Sequence, residues 1–316
     1  MRENGMAKSS DIPVIDLQEL ADNPKELKNN KLREAYEDWG CFRLTNHRID
    51  LNLMKEMKKV VGSLLDLPLE IKMRNTEQVI ARSGYMAPSA TNPLYEGLGL
   101  YDMASSHAVR SFCSRLDACP HQTKVIEAYG KAIHELMMDI SEKMAESLGV
   151  EVVEEYFKEW VCESWINKYS FTPQTIGSSG VQIHTDSSFF TILQDDEEVG
   201  GLQVMSKSGS FVDVPPCPGS LFVILGDIAQ VWSNGRFGAV KHRVECKEAR
   251  VRVSIASLLL GPKEGDIEAP KELVDPHHHP RLFLPFSYEH YRKLRSSQKM
   301  HAGEALALLH ASTTFD

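Results

Sequence analysis

The sequence predicts a mainly β fold with flanking helices (α+β), its core an antiparallel jelly roll. From residue 163 onward the apolar residues change from a period near 3.6 to a period of 2. Eight short runs then recur: SWINKYSF, VQIHTDS, FFTILQDD, GLQVMSK, SFVDVP, SLFVILG, VKHRVEC and VRVSIASLLL. Turn residues separate them at Gly200-Gly201, Ser208-Gly209, Pro216 to Gly219 and Asn234-Gly235. About eight strands is the number with which a jelly roll closes two sheets and hides their edges.

The elements before and after this block follow from local patterns. IPVIDL is a short strand. Asn23 and Pro24 open a helix through KELKNNKLREAYEDWG, with Leu27, Leu32, Ala35 and Trp39 on one face and Gly40 as its stop. CFRLTN is a second strand, and LNLMKEMKKVVGSLLDL is an amphipathic helix with apolar positions 51, 53, 54, 57, 60, 61, 64 and 65. Residues 75 to 120 show little periodicity and read as a lid or pocket wall. GLG at 97–99 lacks the strand–turn–helix context of a phosphate loop. The clearest helix runs from Gln122 to Leu148, its stripe Val125, Ile126, Tyr129, Ile133, Leu136, Met137, Ile140, Met144 and Leu148, with Gly149 as stop. It should brace the sheet from outside, with a shorter helix, EEYFKEW, following. The tail returns to a Pro-rich loop and a helix, and His277, His278 and His279, bracketed by Pro276 and Pro280, read as solvated loop. These patterns divide the chain into an N-terminal α/β region, 1–120, and a second region, 121–316, holding the bracing helix, the β domain and the helical tail.

Composition excludes several functions. Thirty-five basic against 44 acidic residues give a net charge of −9, and no basic cluster interleaved with aromatics interrupts that balance. Nucleic acid and anionic membrane are therefore not expected as partners. No apolar run approaches the roughly 18 residues that span a bilayer. Cysteines 41, 113, 119, 162, 217 and 246 form no C-x-x-C pair and follow no secretory leader, which suits a reducing, cytoplasmic setting. No oligomeric state follows from these patterns.

Chemistry concentrates between residues 167 and 254. Side chains two apart on a strand share a face, so His184 and Asp186 look the same way. His242, in a strand-like segment 56 residues beyond Asp186, can supply a third ligand. Two imidazoles and one carboxylate on one side of a metal form the facial triad of non-haem Fe(II) oxygenases. Arg252 and Ser254 repeat the one-face spacing ten residues after His242, and a buried guanidinium needs an anion. An open metal beside a carboxylate receptor suits a chelating keto acid with a distal carboxylate. Alternation extends the inward face to Ala256 and Leu258, and from Asp186 to Ser188 and Phe190. Asn167 and Tyr169 share a face upstream. Leu258, Phe190, Tyr85 and Tyr101 are the candidate substrate contacts.

The chain resembles the plant 2-oxoglutarate- and Fe(II)-dependent dioxygenases along nearly its whole length. The residues that carry the resemblance are DIPVIDL at 11–17, WGCFRLTNH at 39–47, NKY at 167–169, HTD at 184–186, VGGLQV at 199–204, PGSLFVILGD at 218–227, SNG at 233–235, HRV at 242–244 and RVS at 252–254. The softer stretches SGYMAPSATNPLYEGLGLYDMASS and FTILQDDEEVGGLQVM are most similar to the auxin-oxidising members. One position departs from the pattern: Ile224 stands where many relatives carry Asn, removing a hydrogen bond that would support the metal site.

The resemblance implies a double-stranded β-helix with Fe(II) on His184, Asp186 and His242. It implies 2-oxoglutarate as co-substrate, held by Arg252 and Ser254 with help from Tyr169 and Asn167. Dioxygen and a small carboxylic acid complete the reactants, and succinate and carbon dioxide are co-products. The expected prime substrate is indole-3-acetic acid, oxidised to 2-oxindole-3-acetic acid. The alternatives are a gibberellin or other small plant acid, or a non-catalytic ligand-binding relative. Because Arg252 serves the co-substrate, the prime substrate's carboxylate needs a second donor set, expected from Arg82, Tyr85, Tyr101 and Arg110. Asp227 is expected to be structural, and Gly235 to take the left-handed position of an Asn-Gly turn.

Overall fold

The computed structural model describes residues 12–22, 27–76, 83–151, 157 and 159–311. Among the described residues there are twelve strands: β1 (Val14–Asp16), β2 (Cys41–Thr45), β3 (Tyr85–Met86), β4 (Tyr95–Leu100), β5 (Trp160–Ser170), β6 (Ser179–His184), β7 (Phe190–Gln194), β8 (Leu202–Met205), β9 (Phe211–Asp213), β10 (Leu221–Leu225), β11 (His242–Glu245) and β12 (Val251–Pro262). The helices are α1 (Leu17–Asp22), α2 (Leu27–Glu34), α3 (Leu51–Leu65), α4 (Leu69–Lys72), α5 (Ser106–Arg115), α6 (Pro120–Ser147), α7 (Asp227–Trp232) and α8 (Tyr288–Gln298). Each of the eight runs read from residue 163 onward is a strand, β5 to β12.

Those eight strands make the jelly roll. One sheet has the order β6-β11-β8-β9, and the other carries β10-β7-β12-β5 at its centre. The earlier strands extend the larger sheet on both sides, β2 and β1 beside β10 and β4 and β3 beside β5. The stretch 75–120 is thus more regular than its sequence suggests. GLG lies in β4, where a Cβ on Gly97 would meet the Tyr95 hydroxyl at 2.5 Å and one on Gly99 the Ser83 carbonyl at 2.6 Å. Close approach to a neighbour, rather than phosphate binding, accounts for these glycines.

Alternation splits the large sheet's side chains between two cores. On β10, Leu221, Val223 and Leu225 join the cluster that faces the helices, while Phe222 and Ile224 join the cluster between the sheets. On β7, Phe190 and Ile192 face the helices and Leu193 faces the interior. A strand covered on both faces reads as a continuous apolar run, as FVIL does.

The helical cover matches its periodicity. Asp50 caps α3 by accepting from the Asn52 N–H, and Met54, Met57, Val60, Val61, Leu64 and Leu65 are its buried stripe. The long α6 buries the expected stripe from Val125 to Met144; Leu148 is half-buried just beyond its end. The Met137 thioether meets Cys162 Sγ at 3.3 Å, which makes it core filling. Gly40 takes φ 64° and donates its N–H to Ala35 O at 2.8 Å, ending a π-helical turn at Ala35–Trp39. The opening at Asn23-Pro24 and most of EEYFKEW lie outside the described residues. Asn234 (φ 51°) and Gly235 (φ 80°) both adopt left-handed conformations after α7. The Asn234 amide donates to the carbonyls of Leu273, His279 and Pro280 and accepts the Leu282 N–H, pinning the Pro-rich loop. His277–His279 are exposed on that loop.

Candidate active site

Between the two sheets lies a cavity of roughly 340 Å³. Its wall runs along β12 through Arg252, Ser254, Ala256 and Leu258, and along β5 through Trp165, Asn167 and Tyr169. The register is antiparallel, with Arg252 opposite Tyr169, Ser254 opposite Asn167 and Ala256 opposite Trp165. The odd-numbered face of β5 therefore meets the even-numbered face of β12.

His184, Asp186 and His242 form one group across this cavity, their ligand atoms all within 4.8 Å of one another. It is the metal-ligating group of this kind found among the described residues. His184 ends β6 and pairs directly with His242 on β11. Asp186 lies just past the strand and lines the same cavity as His184, so the one-face reading holds across the strand end. Its Oδ1 is 3.6 Å from His184 Nε2 and 3.7 Å from His242 Nε2. Each imidazole uses its other nitrogen on a backbone carbonyl, His184 Nδ1 on Gln182 O at 2.8 Å and His242 Nδ1 on Val240 O at 3.0 Å. With Nδ1 as donor, Nε2 is left as a lone pair facing Asp186. Burial and the neighbouring His242 hold the His184 imidazole in its neutral form well below the usual histidine range. Burial opposes the Asp186 charge, but His242, His184 and the Thr191 hydroxyl outweigh it and keep the carboxylate ionised. Two imidazole nitrogens and one carboxylate oxygen suit a divalent cation.

The HTD segment is held from three sides. Thr191 Oγ1 donates to Asp186 Oδ2 at 2.5 Å. This hydrogen bond comes from β7 rather than from position 224, where Ile224 lines the cavity. The Asp227 N–H donates to Asp186 O at 2.8 Å, and a Cβ on Gly226 would meet Ser188 O at 2.1 Å, so the chain can pass there only as glycine. Asp227 is fully buried, ion-paired with Arg295 and hydrogen-bonded by the Tyr291 hydroxyl at 2.6 Å. Arg295 in turn donates to Thr185 O at 2.7 Å and His301 O at 3.0 Å. Asp227 is structural, as expected, and its role is to lock α8 onto the metal segment.

Arg252 is 1% exposed and pairs with Asp195, a partner that the sequence reading missed. That bond uses Nη2 alone. Nε and Nη1 are buried without a hydrogen-bond partner, as is Asp195 Oδ2. An unsatisfied buried guanidinium edge is costly unless an anion meets it. Burial works against the Arg252 charge, and Asp195 more than restores it, so the group stays cationic. The guanidinium stacks on the Tyr169 ring at 4.8 Å. Burial pushes the Tyr169 hydroxyl up, so it remains a protonated donor beside Arg252 and Ser254. Asn167 accepts from the Tyr95 hydroxyl at 2.8 Å and reaches toward Ser254 Oγ at 3.5 Å. The donors fit the distal carboxylate of a keto acid, and the His–Asp–His group fits the metal that would chelate its other end.

Several expected substrate contacts are elsewhere. Leu258 lines the cavity, but Phe190 is fully buried in the helix-facing core. Bends at 187–189 break the alternation, so Thr191 and Leu193 face inward instead. Ser188 is likewise buried, its hydroxyl 3.3 Å from that of Thr191. Tyr85 donates its hydroxyl to Glu96 at 2.9 Å with Lys72 over its ring, outside the cavity. Tyr101 lines a second cavity of roughly 350 Å³. Arg110 lies on α5 and pairs with Glu127, and Arg82 falls outside the described residues. The wall gains instead Trp165, Met86, Asn92 and Tyr95, and from the C-terminal region Arg292, Arg295, Ser296 and His301. Trp165 was recoverable by running the Asn167–Tyr169 alternation back two residues; the α8 residues had no local signal.

Comparison with known proteins decides the family. The non-haem dioxygenase N-terminal model matches residues 12–105, and the 2OG-Fe(II) oxygenase superfamily model matches residues 161–260. The chain is 47% identical over 302 residues to the rice (Oryza sativa) 2-oxoglutarate-dependent dioxygenase DAO, covering 95% of this chain and 99% of that one. The chain belongs to the 2-oxoglutarate- and Fe(II)-dependent oxygenases. The crystal structure of the rice dioxygenase for auxin oxidation superposes with a TM-score of 0.87 at 46% identity, over 95% of this chain and 100% of that one. The 2-oxoglutarate complex of dioxygenase for auxin oxidation 1 from Arabidopsis thaliana superposes at 0.81 with 54% identity, over 85% of this chain and all of that one. The protein is thus an oxidoreductase with a jelly-roll core that uses Fe(II), 2-oxoglutarate, dioxygen and a small-molecule substrate. No helix among the described residues is long and apolar enough to cross a membrane.

Proposed function

We propose that this oxygenase converts indole-3-acetic acid to 2-oxindole-3-acetic acid, with succinate and carbon dioxide as co-products. The observation that carries the reading is the intact, ordered site in a chain 47% identical, over nearly all its length, to an auxin-oxidising dioxygenase. Fe(II) with 2-oxoglutarate supplies the oxidising power: dioxygen is split, one oxygen atom leaves in succinate and the other goes to the substrate.

The chain's own residues do the positioning. His184, Asp186 and His242 would hold the metal, offering Nε2, Oδ1 and Nε2. Arg252 offers the Nε and Nη1 edge to the distal carboxylate of 2-oxoglutarate, and Ser254 and Tyr169 donate hydroxyl hydrogens to the same group. Asn167 keeps Ser254 and Tyr95 in place. Leu258, Ile224 and Leu193 make the wall apolar, and the half-buried Trp165 offers a flat face to an aromatic ring. Asp195 fixes the guanidinium so that it need not reorganise when the keto acid arrives. A cytoplasmic setting is supported by six free cysteines, four of them buried, and the net charge of −9 argues against nucleic acid and anionic membrane as partners.

The test is turnover with Fe(II), 2-oxoglutarate and indole-3-acetate under isotopic dioxygen. The expected outcome is one succinate per oxindole, with one labelled oxygen in each product. Consumption of a carboxylated gibberellin in preference to the indole acid moves the substrate assignment, and succinate release that no acid stimulates contradicts the enzymatic reading.

A further inference from the structure

We propose that Arg292, with Ser296 one turn further along α8, reads the carboxylate of the prime substrate. The inference deepens the reading above and rests on the substrate being an acid.

Three arginines line the cavity among the described residues: Arg252, Arg292 and Arg295. Arg252 sits beside Ser254 and Tyr169 at the co-substrate end. Arg295 is committed to Asp227, Thr185 and His301, and holds the metal segment in place. Arg292 pairs with Glu163. Its Nη1 lies 3.6 Å from Glu163 Oε2, within ion-pair reach but beyond an ordinary hydrogen bond. A guanidinium carries five N–H donors in a planar fork, enough to serve Glu163 and a second carboxylate together.

Strand register places it. Glu163 is opposite Leu258 on β12, whereas Tyr169 is opposite Arg252. Six residues of strand separate the two positions, about 20 Å at some 3.3 Å per residue. The two arginines therefore approach the cavity at different stations along β12, too far apart for one carboxylate to be shared. Between them stand Trp165 and Ala256, the apolar stretch on which a flat ring can lie. Ser296 follows Arg292 by four residues and also lines the cavity, so its hydroxyl shares that helix face. Both side chains also line the second cavity, with Leu260, Gly261 and Tyr288, which puts them at a wall reached from two sides. Arg292 is thus a cation with a 19% exposed side chain beyond the apolar stretch of Trp165 and Ala256.

The test compares indole-3-acetate with its uncharged amide in wild type, Arg292→Met, Glu163→Gln and the double variant. Wild type should prefer the acid by at least about tenfold in kcat/KM. Arg292→Met should erase that preference through the KM of the acid, with the KM for 2-oxoglutarate and the amide's kcat/KM within about twofold of wild type. Glu163→Gln should lower the KM of the acid several-fold, because the guanidinium no longer divides itself between two carboxylates. If Arg292→Met fails to fold around a Glu163 that has lost its arginine, the double variant leaves no such charge and must show the same loss of preference. Retained preference in Arg292→Met or the double variant overturns the proposal while leaving the auxin reading in place. Should the wild type consume a gibberellin and not the indole acid, the auxin reading falls, and Arg292 is judged on the gibberellin against its methyl ester. A wild type indifferent to the carboxylate of every substrate it accepts overturns the Arg292 proposal and leaves the auxin reading in place.

Discussion

The two ends of the cavity are built from the same chemistry and by opposite routes. At the co-substrate end, Arg252, Ser254, Tyr169 and Asn167 sit on two adjacent strands in antiparallel register. At the other end, Arg292 and Ser296 come from α8, more than 30 residues after the last strand residue that lines the cavity. One guanidinium is 1% exposed and locked by Asp195; the other has a 19% exposed side chain and stands at ion-pair distance from Glu163. A receptor for an invariant co-substrate can be rigid and preorganised within the sheets, whereas the receptor for the variable substrate stands on a helix outside them, at positions other than Tyr291 and Arg295, which hold the metal segment.

The largest effect should come from the metal group that both ends share. Asp186→Ala removes the one anionic ligand and the acceptor of Thr191, so turnover should fall at least about a hundredfold while circular dichroism stays unchanged. More than about a tenth of wild-type turnover in the purified variant would remove Asp186 from the metal site, since losses from merely supporting groups are of that order.

A smaller effect sharpens the contrast in rigidity. Asp195→Asn leaves Arg252 buried with less counter-charge, and the expected destabilisation is about 3 kcal/mol. Because an incoming carboxylate now supplies the missing partner, 2-oxoglutarate with metal should raise Tm more in this variant than in wild type. An equal rise in both would show that Asp195 and the keto acid do not share the guanidinium. The smallest effects belong to residues that the irregular stretch offered and the fold turned away. Tyr85→Phe and Arg110→Ala should each leave kcat/KM for the indole acid within about twofold, because the first bonds Glu96 and the second Glu127 on the surface. A tenfold loss in either would return the substrate end to residues 75 to 120.

These contrasts follow what a sequence can carry. His184 and Asp186, Arg252 and Ser254, and Asn167 and Tyr169 were legible because a strand's period of two fixes which side chains share a face, and all eight jelly-roll strands announced themselves by that period. The same rule failed for Phe190, since three bends at 187–189 reset the face and no residue type there signals them. Asp195 was hidden because nothing in LQDD says which of two adjacent carboxylates turns to Arg252; Asp196 instead accepts the N–H groups of Glu198, Val199 and Val253. Thr191 replaces the hydrogen bond lost at Ile224 through a register that pairs the two positions across β7 and β10, which only the assembled sheet defines. Arg292 was hidden for a further reason: YRKLRSS reads as an ordinary basic helix, and which arginine looks inward depends on where α8 docks. Asp227, Tyr291 and Arg295 set that docking, and they meet only in the fold.

The account's central claim is that two carboxylates are read by two arginines at separate stations along β12. Saturation curves for 2-oxoglutarate and for indole-3-acetate, measured on Arg252→Lys and Arg292→Lys side by side, test it most directly. Lysine keeps the charge but loses the planar fork, so each variant should raise one KM by about tenfold and leave the other within about twofold. The account predicts a crossed result, with 2-oxoglutarate affected by Arg252→Lys and the indole acid by Arg292→Lys; both constants moving together in either variant would contradict it.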